Sequence, residues 1–206
     1  MTAAPVLGAV SAATREVLEE ARSRGFLGPG PVEAHATHAW PLVAELPADG
    51  ELVDLGSGGG VPGLILAAAL PGTAWVLIES RERRATWLLD AAGRLGLGER
   101  VTVLHARAEE VGRSVRRSQA AAVVARAFGP PAVTAECAAP LLAPGGTCWV
   151  AEPPGSVPGR WPNAGLAMVG LAEGRRAGGW VALDAVASCS DRYPRRSGVP
   201  AKRPLF

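Results

Sequence analysis

The chain has 206 residues, 48% of them hydrophobic and 19% charged, which supports one sizeable core and excludes global disorder. Its net charge is only +2, but residues 191–206 carry five Arg or Lys against one Asp, so the preceding residues sum to −2. Cys137, Cys148 and Cys189 are scattered without a CxxC pair, which excludes a disulfide framework and a zinc site and fits a reducing compartment.

The first twenty residues lack a basic segment ahead of an apolar one, so they do not read as a signal peptide. Residues 10–24 combine mixed charge with good helix formers and stop at Gly25, which predicts an amphipathic helix. A turn-rich break follows, then a second helix over 33–46 up to Pro47. From residue 51 the rhythm changes. ELVDL (51–55), AWVLIES (74–80), RVTVLHA (100–106), AAVVARAF (121–128) and TCWVAE (147–152) read as short buried strands. Helices are expected between them at 61–70, 81–97 and 131–143, with a short polar helix or turn at 107–117. The uncharged run 55–78 is interrupted by six glycines and two prolines, so it is no membrane span. Beyond residue 152, LAMVGLAEG and GGWVALDAV are expected to close the sheet as a hairpin, and the tail beyond Asp191 is expected to be extended and irregular. Alternating strands and helices predict an α/β fold with a mostly parallel, Rossmann-like sheet of seven strands covered on both faces.

The chemistry sits in DLGSGGGVPG (54–63), between the first strand and its helix. In such sheets ligands lie beyond the carboxyl ends of the strands. Two readings fit the glycines. Gly58, Gly60 and Gly63 match the GxGxxG of dinucleotide binding, a weak signal alone. Asp54, Gly56, Gly58 and Gly60 match the DxGxGxG spacing expected for S-adenosylmethionine. An acid at the strand end suits an ammonium group and repels a pyrophosphate, which favours the sulfonium cofactor. Glu79 ends the second strand, where a carboxylate accepts from both ribose hydroxyls; the alternative is a cap for the helix at Arg81. Ala108 and Glu109 follow the third strand, where adenine would lie, with an amide and a carboxylate to offer. The alternative is an acid-rich first turn of a helix.

Four stretches together resemble the 16S ribosomal RNA guanine-N7 methyltransferase family, also called glucose-inhibited division protein B. They are DLGSGGGVPGLILA, HARAEE, ARAF followed by PLLAPGG, and the tail YPRRSGVPAKRPL. The resemblance covers 51–150 and 193–205 well and the N-terminal 50 residues loosely. It implies a class I S-adenosylmethionine-dependent methyltransferase. Gly56 and Val61 match its loop contacts to the cofactor, Glu79 its ribose-binding acid, and Ala108 and Glu109 its adenine contacts. Arg126 matches an arginine at the active-site rim, the residue expected to act in catalysis and to contact the cofactor; an ion pair to a nearby carboxylate such as Glu109 is its structural alternative. Arg83 and Arg107 fall where the family keeps basic residues. With Arg195, Arg196, Lys202 and Arg203 of the tail they are the candidates for RNA contact. His35 and His38 are both candidates for a family histidine. One departure stands out: Glu152 occupies the place of a family lysine after the fifth strand.

The implied reaction is methylation of guanine N7, a nitrogen with a lone pair and no proton, so no general base is required. Residues 1–50 read as a helical extension, 51–190 as the methyltransferase domain and 191–206 as a basic tail. The expected partner is 16S ribosomal RNA or the 30S subunit. A cytoplasmic monomer with no metal and no membrane contact is expected. The alternatives are a diverged cofactor-binding relative with another substrate and, less well supported, a nicotinamide-dependent oxidoreductase. Trp161, in a Pro/Gly-rich loop, is a candidate for stacking on a base.

Overall fold

The computed structural model describes residues 10–156 and 159–206. The reading of the first nine residues as no part of a signal peptide lies outside these. Helix α1 (Ala12–Ser23) opens on Ser11, whose Oγ accepts from the Thr14 N–H at 3.1 Å, a serine N-cap. Helix α2 (Val32–Ala39) is shorter than expected: Pro41 cannot donate into a helical ladder, and the chain tightens into a 3-10 turn at Trp40–Val43.

The sheet contains β1 (Gly50–Leu55), β2 (Thr73–Glu79), β3 (Val101–His105), β4 (Ala120–Ala125), β5 (Leu142–Ala151), β6 (Leu171–Ala177) and β7 (Trp180–Ala185). Their order is β3-β2-β1-β4-β5-β7-β6. The first five strands are parallel, and β7 enters antiparallel between β5 and β6. Strand periodicity of two sorts the apolar runs between two cores. Val53, Val76, Ile78, Val123 and Cys148 face one side. Leu52, Trp75, Leu77, Val124 and Trp149 face the other, where Val17 and Ala21 of α1 pack. Both faces are therefore covered, which is why these strands read as continuous apolar runs. The connecting helices are α3 (Gly63–Ala69), α4 (Glu82–Arg94), α5 (Ala108–Val111) and α6 (Pro131–Ala138). The strand order reverses between the parallel neighbours β1 and β4, and the crevice opens at their carboxyl ends.

The stretch 107–117, expected as a short polar helix or turn, holds the single turn of α5, capped by Gly112. Two readings need correction. The loop before the hairpin holds a short α7 (Asn163–Ala167), and Trp161 in it is 2% exposed, its Nε1 donating to Glu152 Oε1 at 3.0 Å, so it cannot stack on an external base. The tail beyond Asp191 is folded. Tyr193 is buried, α8 (Val199–Lys202) forms a turn, and Leu205 and Phe206 pack on the core beside Leu166. The basic composition concealed this, because aromatic and apolar residues at the tail's two ends bury while most cations between them stay outside.

Candidate functional site

The loop after β1 is built from the backbone outward. The N–H groups of Gly56 and Ser57 both donate to Ile78 O at 3.0 Å, and Gly60 N–H donates to Ser57 O at 2.7 Å. Gly56 has φ +78, and a Cβ there would lie 2.7 Å from the Phe128 ring. Gly63 has a different constraint: a Cβ would collide with the Asp54 carboxylate and sit 2.7 Å from Leu77. These two positions need glycine, one for conformation and contact, the other for contact alone.

Asp54 lies beneath this loop. It is 1% exposed, its Oδ2 accepts from Gly63 N–H at 3.0 Å, and Oδ1 is buried with no partner among the described residues. Burial, opposed by the Gly63 and Ser57 hydrogen bonds, pushes its pKa up to about 7. Asp54 therefore ties β1 to the start of α3 and does not line the adjacent cleft.

That cleft, about 340 Å³, is lined by Gly56, Glu79, Ala108, Glu109, Phe128 and the tail residue Gly198, among others. Glu79 bridges two loops: Oε1 accepts from Arg81 N–H at 2.8 Å and Oε2 from Gly58 N–H at 3.0 Å. The capping alternative and a ligand role are compatible, because a carboxylate has about four acceptor sites and two are filled. As the first residue of α5, Ala108 has an N–H with no partner in its own helix. Glu109 is buried, and its Oε1 accepts from Gly198 N–H at 2.9 Å. Val61 packs below the loop with Leu18, Val32 and Ile65 rather than lining the cleft.

A second pocket, about 700 Å³, adjoins the first across Phe128 and Ala127, which line both. Its other walls include His38, Arg126, Thr134, Val150, Glu152 and Arg160. Arg126 Nη2 donates to His35 Nδ1 at 2.7 Å, so His35 carries its ring proton on Nε2. Burial and the Arg126 charge hold His35 below the usual histidine range, and His38 is lowered by the same two causes and by His35. Burial also lowers Arg126, and the Asp54 charge opposes this. The expected alternative for Arg126, a pair with Glu109, does not form; its partner is a neutral histidine, which leaves the guanidinium charge uncancelled by direct contact.

Glu152 is not a free charge facing the pocket. Its side chain is 6% exposed and pairs with Arg160 at 3.2 Å and Arg176 at 3.5 Å, besides the Trp161 bond. The acid thus anchors the loop that follows β5.

The RNA candidates divide. Arg83, Arg107, Arg196, Lys202 and Arg203 are exposed, and Arg107 stands at the rim of the first cleft. Arg195 is a correction. Its backbone N–H and Nε donate to Glu136 Oε1, both at 2.8 Å, and Nη2 to Glu136 Oε2 at 2.6 Å. Glu136 is 0% exposed, so this guanidinium is committed to a buried acid. Sequence reasoning missed Glu136 and Phe128, whereas His35, one of the two candidate histidines, is the one that meets Arg126. Glu136 left a trace: it is the lone acid in the apolar helix PAVTAECA, and a buried acid requires a cation from elsewhere.

The residues present fit S-adenosylmethionine. The cleft offers acceptors at the β2 end, an amide and a carboxylate at the β3 end, and glycine backbone between them. Among the described residues no cluster of metal-ligating side chains converges, and no helix is long and apolar enough to cross a membrane. The fold matches solved methyltransferases: an O-methyltransferase from Bacillus cereus in complex with SAH has a TM-score of 0.60 at 14% identity, covering 87% of this chain and 93% of that one. An O-methyltransferase from Thermotoga maritima gives 0.58 at 14%, covering 84% and 72%. In sequence, the chain is 36% identical over 188 residues to ribosomal RNA small subunit methyltransferase G of Synechococcus sp. (strain CC9311), covering 81% of this chain and 71% of the relative. It is 38% identical over 184 residues to the protein of that name from Rubrobacter xylanophilus, covering 80% and 68%. The family model described as rRNA small subunit methyltransferase G matches residues 32–152. By the family match over residues 32–152 and these relatives, the chain belongs to the small-subunit ribosomal RNA methyltransferase G family and is an S-adenosylmethionine-dependent methyltransferase.

Proposed function

We propose that this chain methylates N7 of a guanine in 16S ribosomal RNA, as a cytoplasmic monomer acting on the small subunit or its RNA. The observation that carries this reading is the pair of adjoining pockets divided by Phe128, with Arg126 at the entrance of the second. The first has the polar groups for the methyl donor, and the second has room for one base.

The donor, when bound, supplies an activated methyl on a sulfonium. The chain's own residues do the rest. Glu79 and the Gly58 backbone define where the ribose hydroxyls meet acceptors, and Ala108 with Glu109 faces the adenine. Guanine N7 needs no proton removed, so no general base is required of the site. What accelerates the transfer is alignment of nucleophile and methyl, together with an environment suited to charge that moves toward the base. Arg126 is placed to donate to guanine O6 or to a flanking phosphate, which leaves the N7 lone pair free to attack the methyl. His35 holds Arg126 while staying neutral. The target nucleotide must be unstacked to enter the second pocket. Arg83, Arg107, Arg196, Lys202 and Arg203 supply exposed cations for RNA phosphates. The reading keeps 1–50 as a helical extension, 51–190 as the methyltransferase domain and 191–206 as a basic tail.

A second reading rests on Glu152. An acid where the family has lysine, ringed by two arginines, marks a loop that differs from the family pattern, and a diverged substrate would follow from a changed base pocket. Transfer of labelled methyl to 30S subunits lacking the modification, followed by mapping of the product, decides between them. N7-methylguanine at one site is the expected result. Cofactor binding without transfer would replace the proposal with the diverged relative.

A further inference from the structure

The C-terminal segment is a strap across the adenine end of the cofactor cleft. It leaves β7 and is fastened first by Arg117, whose guanidinium donates to Cys189 O at 2.6 Å and Tyr193 O at 2.7 Å. Pro194 then packs against Gly112, the cap of α5, so closely that a Cβ on Gly112 would lie 3.0 Å from the proline ring. Arg195 follows, latched to the fully buried Glu136 of α6 by three N–H donors. Its Nη2 also donates to Arg203 O at 2.7 Å, which closes the strap around α8. Ser197 Oγ donates to Glu110 Oε1 at 3.2 Å. Gly198, at φ +80, gives its N–H to Glu109 Oε1 at 2.9 Å. Gly198 and Ala201 line the cleft itself.

The strap therefore touches α5 at its cap and at both of its acids. The consequence concerns Glu109. An unconstrained carboxylate can rotate either oxygen toward a ligand or toward water. With Oε1 held by the Gly198 N–H, the rotamer is fixed and Oε2 remains as the acceptor. A carboxylate that can only accept discriminates between purines at position 6. The amino group of adenine donates to it, and the carbonyl of hypoxanthine opposes it with a second acceptor.

We propose that residues 193–206 form a wall of the cofactor site, in which Arg195, latched to Glu136, positions Glu109 to select the 6-amino group of adenine. The proposal rests on the reading of the first cleft as the cofactor site. It makes Arg195 a positioning residue rather than a contact to RNA.

The test is calorimetric titration of S-adenosylhomocysteine and S-inosylhomocysteine into the full chain and two variants, each checked for cooperative thermal unfolding. Arg195→Lys keeps the charge beside Glu136 but loses the forked geometry. Gly198→Ala leaves the ion pair alone and strains the left-handed backbone that aims the N–H. The wild-type chain is expected to prefer the adenosyl ligand by about tenfold or more, the equivalent of one charge-assisted hydrogen bond. In both variants adenosyl affinity should fall about tenfold while inosyl affinity changes by less than about twofold, so that the preference collapses. A merely structural strap would weaken both ligands alike, and that result overturns the proposal. So does an unchanged preference in both variants. A folded wild-type chain that binds neither ligand would overturn the cofactor reading itself, an outcome separable from failure of the strap.

Discussion

The two pockets at the edge of the sheet are built on different principles. The first is lined by backbone and by carboxylates already engaged with that backbone: Glu79 with Gly58 and Arg81, Glu109 with Gly198. Its groups are held before any ligand arrives. The second is assembled from side chains on separate segments, with the Arg126–His35 contact on one wall and the Glu152 cluster on another. A rigid first pocket suits a ligand that never changes. A second pocket walled by side chains from separate segments suits the proposed RNA base, which must be admitted and released, and it holds Glu152, where the family resemblance implies a lysine.

That contrast can be broken at four places. The largest effect is expected beneath the first pocket. Burial raises the folded-state pKa of Asp54 from the ordinary aspartate value of 3.8 to about 7, so its contribution to stability is full below the unfolded pKa and is lost as pH rises through 7. The loss amounts to at most about 4 kcal/mol over that window. Asp54→Asn should flatten the fall in thermal stability between pH 4 and pH 8, measured by scanning calorimetry; an equally steep fall in the variant would remove Asp54 as its source. In the second pocket, Glu152→Lys, which restores the family residue, leaves Arg160, Arg176 and the Trp161 N–H without their shared acceptor. A destabilisation of about 3 kcal/mol is expected by denaturant titration, because one half of a buried charge cluster is reversed. Unchanged stability would mean the loop is not anchored there.

Arg126→Ala is expected to lower methyl transfer by about 100-fold with cofactor affinity little changed, consistent with loss of a guanidinium that acts on the base side. A matching loss of cofactor affinity would move Arg126 to the first pocket. The smallest effect belongs to the exposed cations. Replacing Lys202 by Ala should weaken binding to RNA uniformly and reduce the slope of log K against log salt by about 0.7 to 0.9, the value of one phosphate contact. An unaltered slope would take Lys202 out of the RNA interface.

The first pocket was largely legible in the sequence because it is local in the chain. Asp54 to Gly63 is one loop, Glu79 ends the next strand, and Ala108 and Glu109 follow the one after. Short continuous apolar runs, such as those holding Leu52 with Val53 and Trp75 with Val76, carried the sheet buried on both faces. The role of Asp54 was less visible, since a strand-end acid reads alike whether it meets a ligand or a helix N–H. The tail was misread for a physical reason. Arg195 finds Glu136 at a sequence separation of 59 residues, and no local pattern announces such a pair.

The central claim is that the cleft framed by Gly56, Glu79, Ala108 and Glu109 holds S-adenosylmethionine. Calorimetric titration of that ligand into the wild-type chain and into Glu79→Ala tests it most directly. Binding of one ligand per chain is expected, with affinity falling about 100-fold or more in the variant, since two charge-assisted hydrogen bonds to the ribose are removed. Equal affinity in the two proteins would contradict the account and place the cofactor elsewhere.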